Sequence, residues 1–264
     1  MTELNEQPAS SHQQRLQNEV AYHTAIAQRE LDTIARTPDE LVERYRHCAR
    51  WRTRYPECVF HFLTLHKPQH ICDFGCGSGE MACLLGRLGY RVTGLDVSPD
   101  LVEVARERAR LDGVAERVKF EVADAAAIRS EDEKFDAVLA MSIIHHLPLE
   151  DALDSLVDLL LPGGRVAFLE PVAYSSILQW FRDRAPVEKD VSPDERQLGK
   201  HDLKRIGDRF IIEEARHFYI LARLRRVLPP WTDAPLRWLD RGLLAIPGMA
   251  HFAGIIALLV RRRD

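Results

Sequence analysis

Residues 70–99 read HICDFGCGSGEMACLLGRLGYRVTGLDVSP, with glycines at 75, 77 and 79 between a short apolar run and an apolar helical pattern. A short apolar run, a glycine-rich turn, an amphipathic stretch and a second run form the pattern of a strand, a crossover helix and a parallel strand. The turn needs glycine because the backbone reverses tightly there and passes against a ligand with no Cβ in the way. The helix that follows offers unpaired N–H groups. A dinucleotide fingerprint, GxGxxG, requires glycine at 80, where Glu80 instead puts a carboxylate in the path of a pyrophosphate. GxGxG suits a ligand without phosphate, one that presents an amino acid and a nucleoside.

Outward from this stretch the alternation continues. Candidate strands are 69–74 (QHICDF), 91–96 (RVTGLD), 117–124 (RVKFEVAD), 135–140 (FDAVLA) and 164–170 (GRVAFLE). The helix between the second and third is well punctuated. Ser98 caps it, Pro99 suits its first turn, Leu101, Val104, Ala105 and Arg108 fall at helical spacing, and Gly113 closes it. Residues 12–65 read as two or three helices, 171–208 as an irregular excursion, 209–224 as a long strand and 252–263 as a closing one. The stretch 221–251 is too long for a hairpin loop and should hold helices. Asp96 ends the second strand, where an acidic side chain accepts hydrogen bonds from both hydroxyls of a ribose, and Asp124 ends the third within reach of an adenine amino group. For each, helix capping is the alternative role.

The region 65–170 resembles the class I S-adenosylmethionine-dependent methyltransferases. DFGCGSG resembles their first motif, GLDVS the second, VADAAAI the third, FDAVLAMSIIHHL the fourth and LLLPGGRVAFLEP the next. The texture of IIHHL and PGGR is similar to the ubiquinone and menaquinone methyltransferase-like branch, which acts on small or lipid molecules. The resemblance implies an α/β fold, a Rossmann-like seven-stranded mostly parallel sheet with helices on both faces and helical cap segments. It implies S-adenosylmethionine as cofactor and methyl transfer to an oxygen, nitrogen or carbon nucleophile, releasing S-adenosylhomocysteine. Asp73, Gly75, Cys76, Gly77 and Gly79 would surround the methionine end, Asp96 with Val97 the ribose, and Asp124 with Ala125 the adenine. Met141 and Ser142 would face the sulfonium. The rival readings are a non-catalytic binding or assembly protein of the same fold and an NAD-dependent dehydrogenase, which Glu80 disfavours.

Departures from the family's patterns narrow the chemistry. The fourth strand lacks the Asn/Asp-Pro-Pro-aromatic tetrad of nucleobase amino-group enzymes, and no acidic pair follows it as in the magnesium-dependent catechol branch, so no metal is expected. Cys72 and Cys76 have the first spacing of a radical-type cluster motif, but position 79 is glycine, which rules out C-x3-C-x2-C. His145 and His146 follow the fourth strand at the ligand edge. An imidazole there takes a proton from an acceptor as methyl transfer proceeds; the alternative is that one caps the next helix and the other packs on the sheet.

The composition, 46% hydrophobic and 29% charged with a formal net charge of -4, is that of a core-forming chain without the basic excess that nucleic-acid binding requires. Five cysteines at irregular spacing and a start with no apolar leader point to a reducing cytoplasm. The expected organisation is an N-terminal tail and helical cap over 1–65 and a cofactor-binding domain over 66–264 with insertions at 171–208 and 221–251. Residues 243–260 are free of formal charge and precede Arg261, Arg262 and Arg263, like a short membrane span with a basic flank. Pro247 and Gly248 break the run, which leaves a buried closing strand. From 221 to 264, eight arginines face three aspartates among several aromatic and aliphatic side chains. That surface suits a membrane face or an anionic amphiphile; the alternative is a helical lid with solvated arginines.

Overall fold

The computed structural model describes residues 11–46, 55–125, 127–128, 133–175, 197–222 and 228–263. Strands β1 (His70–Phe74), β2 (Arg91–Asp96), β3 (Val118–Val122), β4 (Phe135–Met141), β5 (Leu160–Pro171), β6 (Phe210–Phe218) and β7 (Ile255–Arg262) make one sheet in the order β3-β2-β1-β4-β5-β7-β6. β1 pairs in parallel with both β2 and β4, while β7 runs antiparallel between β5 and β6. Chain order reverses between β1 and β4, and in such sheets ligands bind outside the carboxyl ends of the strands at that crevice.

Helices α1 (Ser11–Thr33), α2 (Asp39–Arg46) and α3 (Tyr55–His66) precede the sheet, and α4 (Glu80–Arg87), α5 (Pro99–Leu111) and α6 (Leu149–Leu159) connect its strands. Helix α7 (Lys200–Arg209) leads into β6, and α8 (Asp233–Leu244) lies between β6 and β7. The apolar faces fall on both sides of the sheet. Phe60, Leu63, Leu85, Val102 and Ala105 fill one layer, and Leu153, Leu156, Ile206 and Phe210 the other, all buried. Helix α5 forms as its sequence dictates: the Ser98 hydroxyl accepts the Leu101 N–H at 3.3 Å, Pro99 opens the first turn, and Gly113 follows the last in the left-handed region, φ +69°.

Several boundaries differ from expectation. β3 ends at Val122, so Asp124 lies beyond the strand. β5 begins at Leu160 rather than 164. β6 stops at Phe218, six residues before 224, because Tyr219 turns left-handed at φ +64°, a conformation no strand residue adopts. The excursion 171–208 is not irregular to its end, since α7 begins at Lys200; residues 176–196 lie outside the described ones. The apolar run 243–260 is divided among the end of α8, a turn at Gly248 and β7. Among the described residues no helix is long and apolar enough to cross a membrane.

Candidate functional site

The glycine loop is clamped from two sides. Gly75 and Cys76 donate their N–H groups to the Leu95 carbonyl at 2.8 and 3.0 Å, which fastens the loop to the end of β2. Asp96 Oδ2 accepts the Gly77 N–H at 2.8 Å and Oδ1 the Ser98 N–H at 2.9 Å. A carboxylate has about four acceptor positions, so two remain for a ligand's hydroxyls. From behind, Arg108 donates to the Ser78 carbonyl at 2.9 Å and pairs with Glu30 at 3.0 Å and Glu80 at 3.7 Å. Glu80 opens α4 with its side chain mostly exposed.

Two of the glycines serve different ends. A Cβ at Gly75 would sit 2.5 Å from Ile143 Cγ1, so this position is small to admit a protein side chain. A Cβ at Gly77, where φ is +52°, would meet nothing within 4 Å. The loop therefore borders open space at Gly77. Close by in the chain, Asp73 ends in a buried carboxylate whose Oδ2 has no hydrogen-bond partner. Burial first, and then the charge of Asp96, push its pKa up to about 7. The Ala82 backbone N–H holds the group in part, but burying Oδ2 without a partner is costly, and a ligand that brings a donor or a cationic nitrogen relieves that cost. Cys76 is half-buried, and burial together with the Asp73 and Asp96 charges holds its thiol well above the usual range, so it stays a protonated thiol.

Val97, half-buried, follows Asp96, and Asp124 and Ala125 lie just past β3 at the same sheet edge, Asp124 half-buried and Ala125 buried. Met141 closes β4. Ser142 beyond it is exposed and left-handed at φ +56°, with its N–H on the Leu169 carbonyl at 2.8 Å. Non-glycine residues in that region are strained, and such strain concentrates at ligand sites.

The two histidines part company. His145 is buried and its Nδ1 lies 2.6 Å from Glu170 Oε2, while Glu170 Oε1 accepts the Ile143 and Ile144 N–H groups at 3.0 Å each. His146 is half-buried, its ring centroid 4.1 Å from that of His145. Sequence reasoning missed Glu170 and the loop-bracing role of Arg108. Both had a signal: a carboxylate closing the apolar run VAFLE, and an arginine on the apolar stripe of α5.

A family model described as a methyltransferase domain matches residues 72–168. The segment holds the glycine loop, Asp96 and the two histidines. Methyltransferase GfsG of Streptomyces halstedii is 34% identical over 126 residues, 47% of this chain and 45% of that protein. Demethylmenaquinone methyltransferase of Thermus thermophilus is 37% identical over 125 residues, 46% of this chain and 54% of that protein. The matched part of the chain spans about half the length of these curated relatives. Among solved structures, the [4+2]-cyclase SpnF has the same Rossmann-like fold, with a TM-score of 0.57 at 24% identity over 81% of this chain and 84% of that one.

Proposed function

We propose that the protein moves a methyl group from S-adenosylmethionine to a small-molecule or lipid-like acceptor and releases S-adenosylhomocysteine. The observation that carries this reading is the buried, unpartnered Asp73 oxygen beside a glycine loop that is open at Gly77, in the segment that the methyltransferase domain model matches. Asp73 and the loop accommodate the amino-acid end, the free acceptor positions of Asp96 the ribose, Asp124 and Ala125 the adenine, and Met141 and Ser142 the sulfonium. The cofactor supplies a methyl group already activated by positive charge, so the protein chiefly positions the acceptor in line and excludes water. Glu170 orients the His145 ring through Nδ1, and His145 or His146 takes the proton that the acceptor loses. The reading is tested with methyl-labelled cofactor and a panel of hydroquinones and macrocyclic alcohols. Label in an organic-extractable product supports it, and no transfer to any acceptor or cell extract counts against it.

The same proposal extends to partners and place. Trp231 and Trp238, 75% and 71% exposed, stand with Leu239 and Ile246 on and around α8. Leu236 on the same helix and Met141 at the end of β4 both pack against the apolar cluster of Leu169, Phe218, Tyr219, Ala222 and Ala257. An apolar aromatic face next to the site favours an amphiphilic acceptor met at a membrane surface from a reducing cytoplasm, where the free thiols of Cys58, Cys72, Cys76 and Cys83 persist. Arg223, Arg225 and Arg226 lie outside the described residues. Co-sedimentation with anionic vesicles should exceed that with neutral ones and fall when Trp231 and Trp238 are replaced by serine. Equal recovery in the supernatant with both vesicle types would confine the face to a lid.

A further inference from the structure

A second group of ring side chains stands at the same sheet edge, outside the family segment. Tyr174 follows β5, His217 is the penultimate residue of β6, and His251 lies in the short turn Met249–Phe252 before β7. Because β7 runs antiparallel between β5 and β6, the ends of those two strands and the start of β7 meet on one edge, the edge that carries Ser142. The Tyr174 hydroxyl is 3.3 Å from His217 Nε2, and the Tyr174 ring centroid is 5.7 Å from that of His217 and 6.4 Å from that of His251. All three side chains are half-buried.

The sheet register relates this group to His145. Glu170 on β5 and His217 on β6 both pair with Ile256 on β7, so the three stand in one row on one face. Two strand spacings separate the ends of the row, about 10 Å. One end is Glu170, which holds His145; the other is His217, which meets Tyr174. The strands on either side of this face end in the left-handed non-glycine residues Ser142 and Tyr219, the kind of strain kept where a ligand is clamped.

We infer that Tyr174 and His217 form a hydrogen-bonding station for a second oxygen of the acceptor, remote from the atom that receives the methyl group. The inference rests on the methyltransferase reading and names the acceptor class within it: a molecule large enough to carry a second oxygen function apart from the atom that receives the methyl group. Burial holds the Tyr174 phenol above its ordinary pKa and the His217 imidazole below its own, so at neutral pH the pair is uncharged. An uncharged donor and acceptor match a hydroxyl or carbonyl rather than a carboxylate or phosphate.

The test follows histidine ring signals by NMR in the full chain saturated with S-adenosylhomocysteine, with 1-naphthol as probe and naphthalene as the control without a hydroxyl. In the wild type, 1-naphthol should shift the His217 and His251 signals. Tyr174→Phe and His217→Gln should each weaken 1-naphthol by about three- to tenfold, the worth of one hydrogen bond. Naphthalene and S-adenosylhomocysteine affinities should stay as they were. A His217 signal that ignores 1-naphthol, or 1-naphthol affinities unchanged in both variants, overturns the inference and leaves the methyltransferase reading in place. Failure of the wild type to bind S-adenosylhomocysteine overturns that reading and the inference with it.

Discussion

Strands β1 to β4, which carry the glycine loop, and strands β5 to β7, which carry the Tyr174–His217–His251 group, share one sheet edge but reach it through different kinds of contact. On the first side, backbone groups a few residues from the strand ends do the work: Gly75 and Cys76 on the Leu95 carbonyl, and Gly77 and Ser98 on Asp96. On the second side, side chains from distant parts of the chain meet across an antiparallel strand, as Tyr174 and His217 do. A cofactor common to many proteins is held by backbone geometry that a short motif can encode. An acceptor particular to one protein is held by side chains that no short motif brings together.

Gly77→Val breaks the first side most severely. A branched side chain would stand in the open space beside the loop and force a β-branched residue to φ +52°. Binding of S-adenosylhomocysteine should be lost while the far-ultraviolet circular dichroism stays close to wild type. Normal binding by a folded variant would mean that the loop does not face the cofactor.

Glu170→Ala acts at the boundary between the two sides. It leaves two backbone N–H groups and the His145 ring without their buried acceptor, and each buried donor left unsatisfied costs about 1 to 3 kcal/mol. Urea unfolding should register that loss; a midpoint within error of wild type would show that the segment after β4 does not depend on Glu170. Asp96→Ala should weaken S-adenosylmethionine by about 1.5 to 3 kcal/mol, the range for hydrogen bonds to a charged group. Unchanged affinity in calorimetry would remove Asp96 from the ribose.

The effect of Asp73 changes with pH. Its pKa is pushed up to about 7 in the folded chain from 3.8, so the unfolded chain gives up this proton at lower pH than the folded one. The contribution to stability is complete below the unfolded value and is lost as pH rises through the folded value. Without ligand, Asp73→Asn should therefore melt above wild type at about pH 8, and the gap should close as the pH falls toward about 4. A gap that does not change with pH would mean that Asp73 is already ionised in the unliganded protein.

What could be read from the sequence follows the same division. The limits of α5 were written in Ser98, Pro99 and Gly113 because capping and left-handed closure are local events. The division of 243–260 into helix end, turn and strand was foreshadowed by Pro247 and Gly248. β6 was read too long because its apolar run passes through Tyr219 to Leu224, and only the fold sets Tyr219 left-handed. The candidate cofactor residues stood out as glycines and strand-end carboxylates. That Asp96 also spends hydrogen bonds on the loop, that Glu170 holds His145, and that Tyr174 meets His217 depend on strand register, which a single sequence does not display.

The central claim is that a loop pinned by Asp96 and open at Gly77 accepts an amino-acid nucleoside and refuses a dinucleotide. Parallel calorimetric titrations of the full chain with S-adenosylhomocysteine and with NADH test it directly. The account predicts saturable binding of S-adenosylhomocysteine at one site per chain and no heat from NADH beyond dilution. Saturable binding of NADH with none of S-adenosylhomocysteine would contradict it.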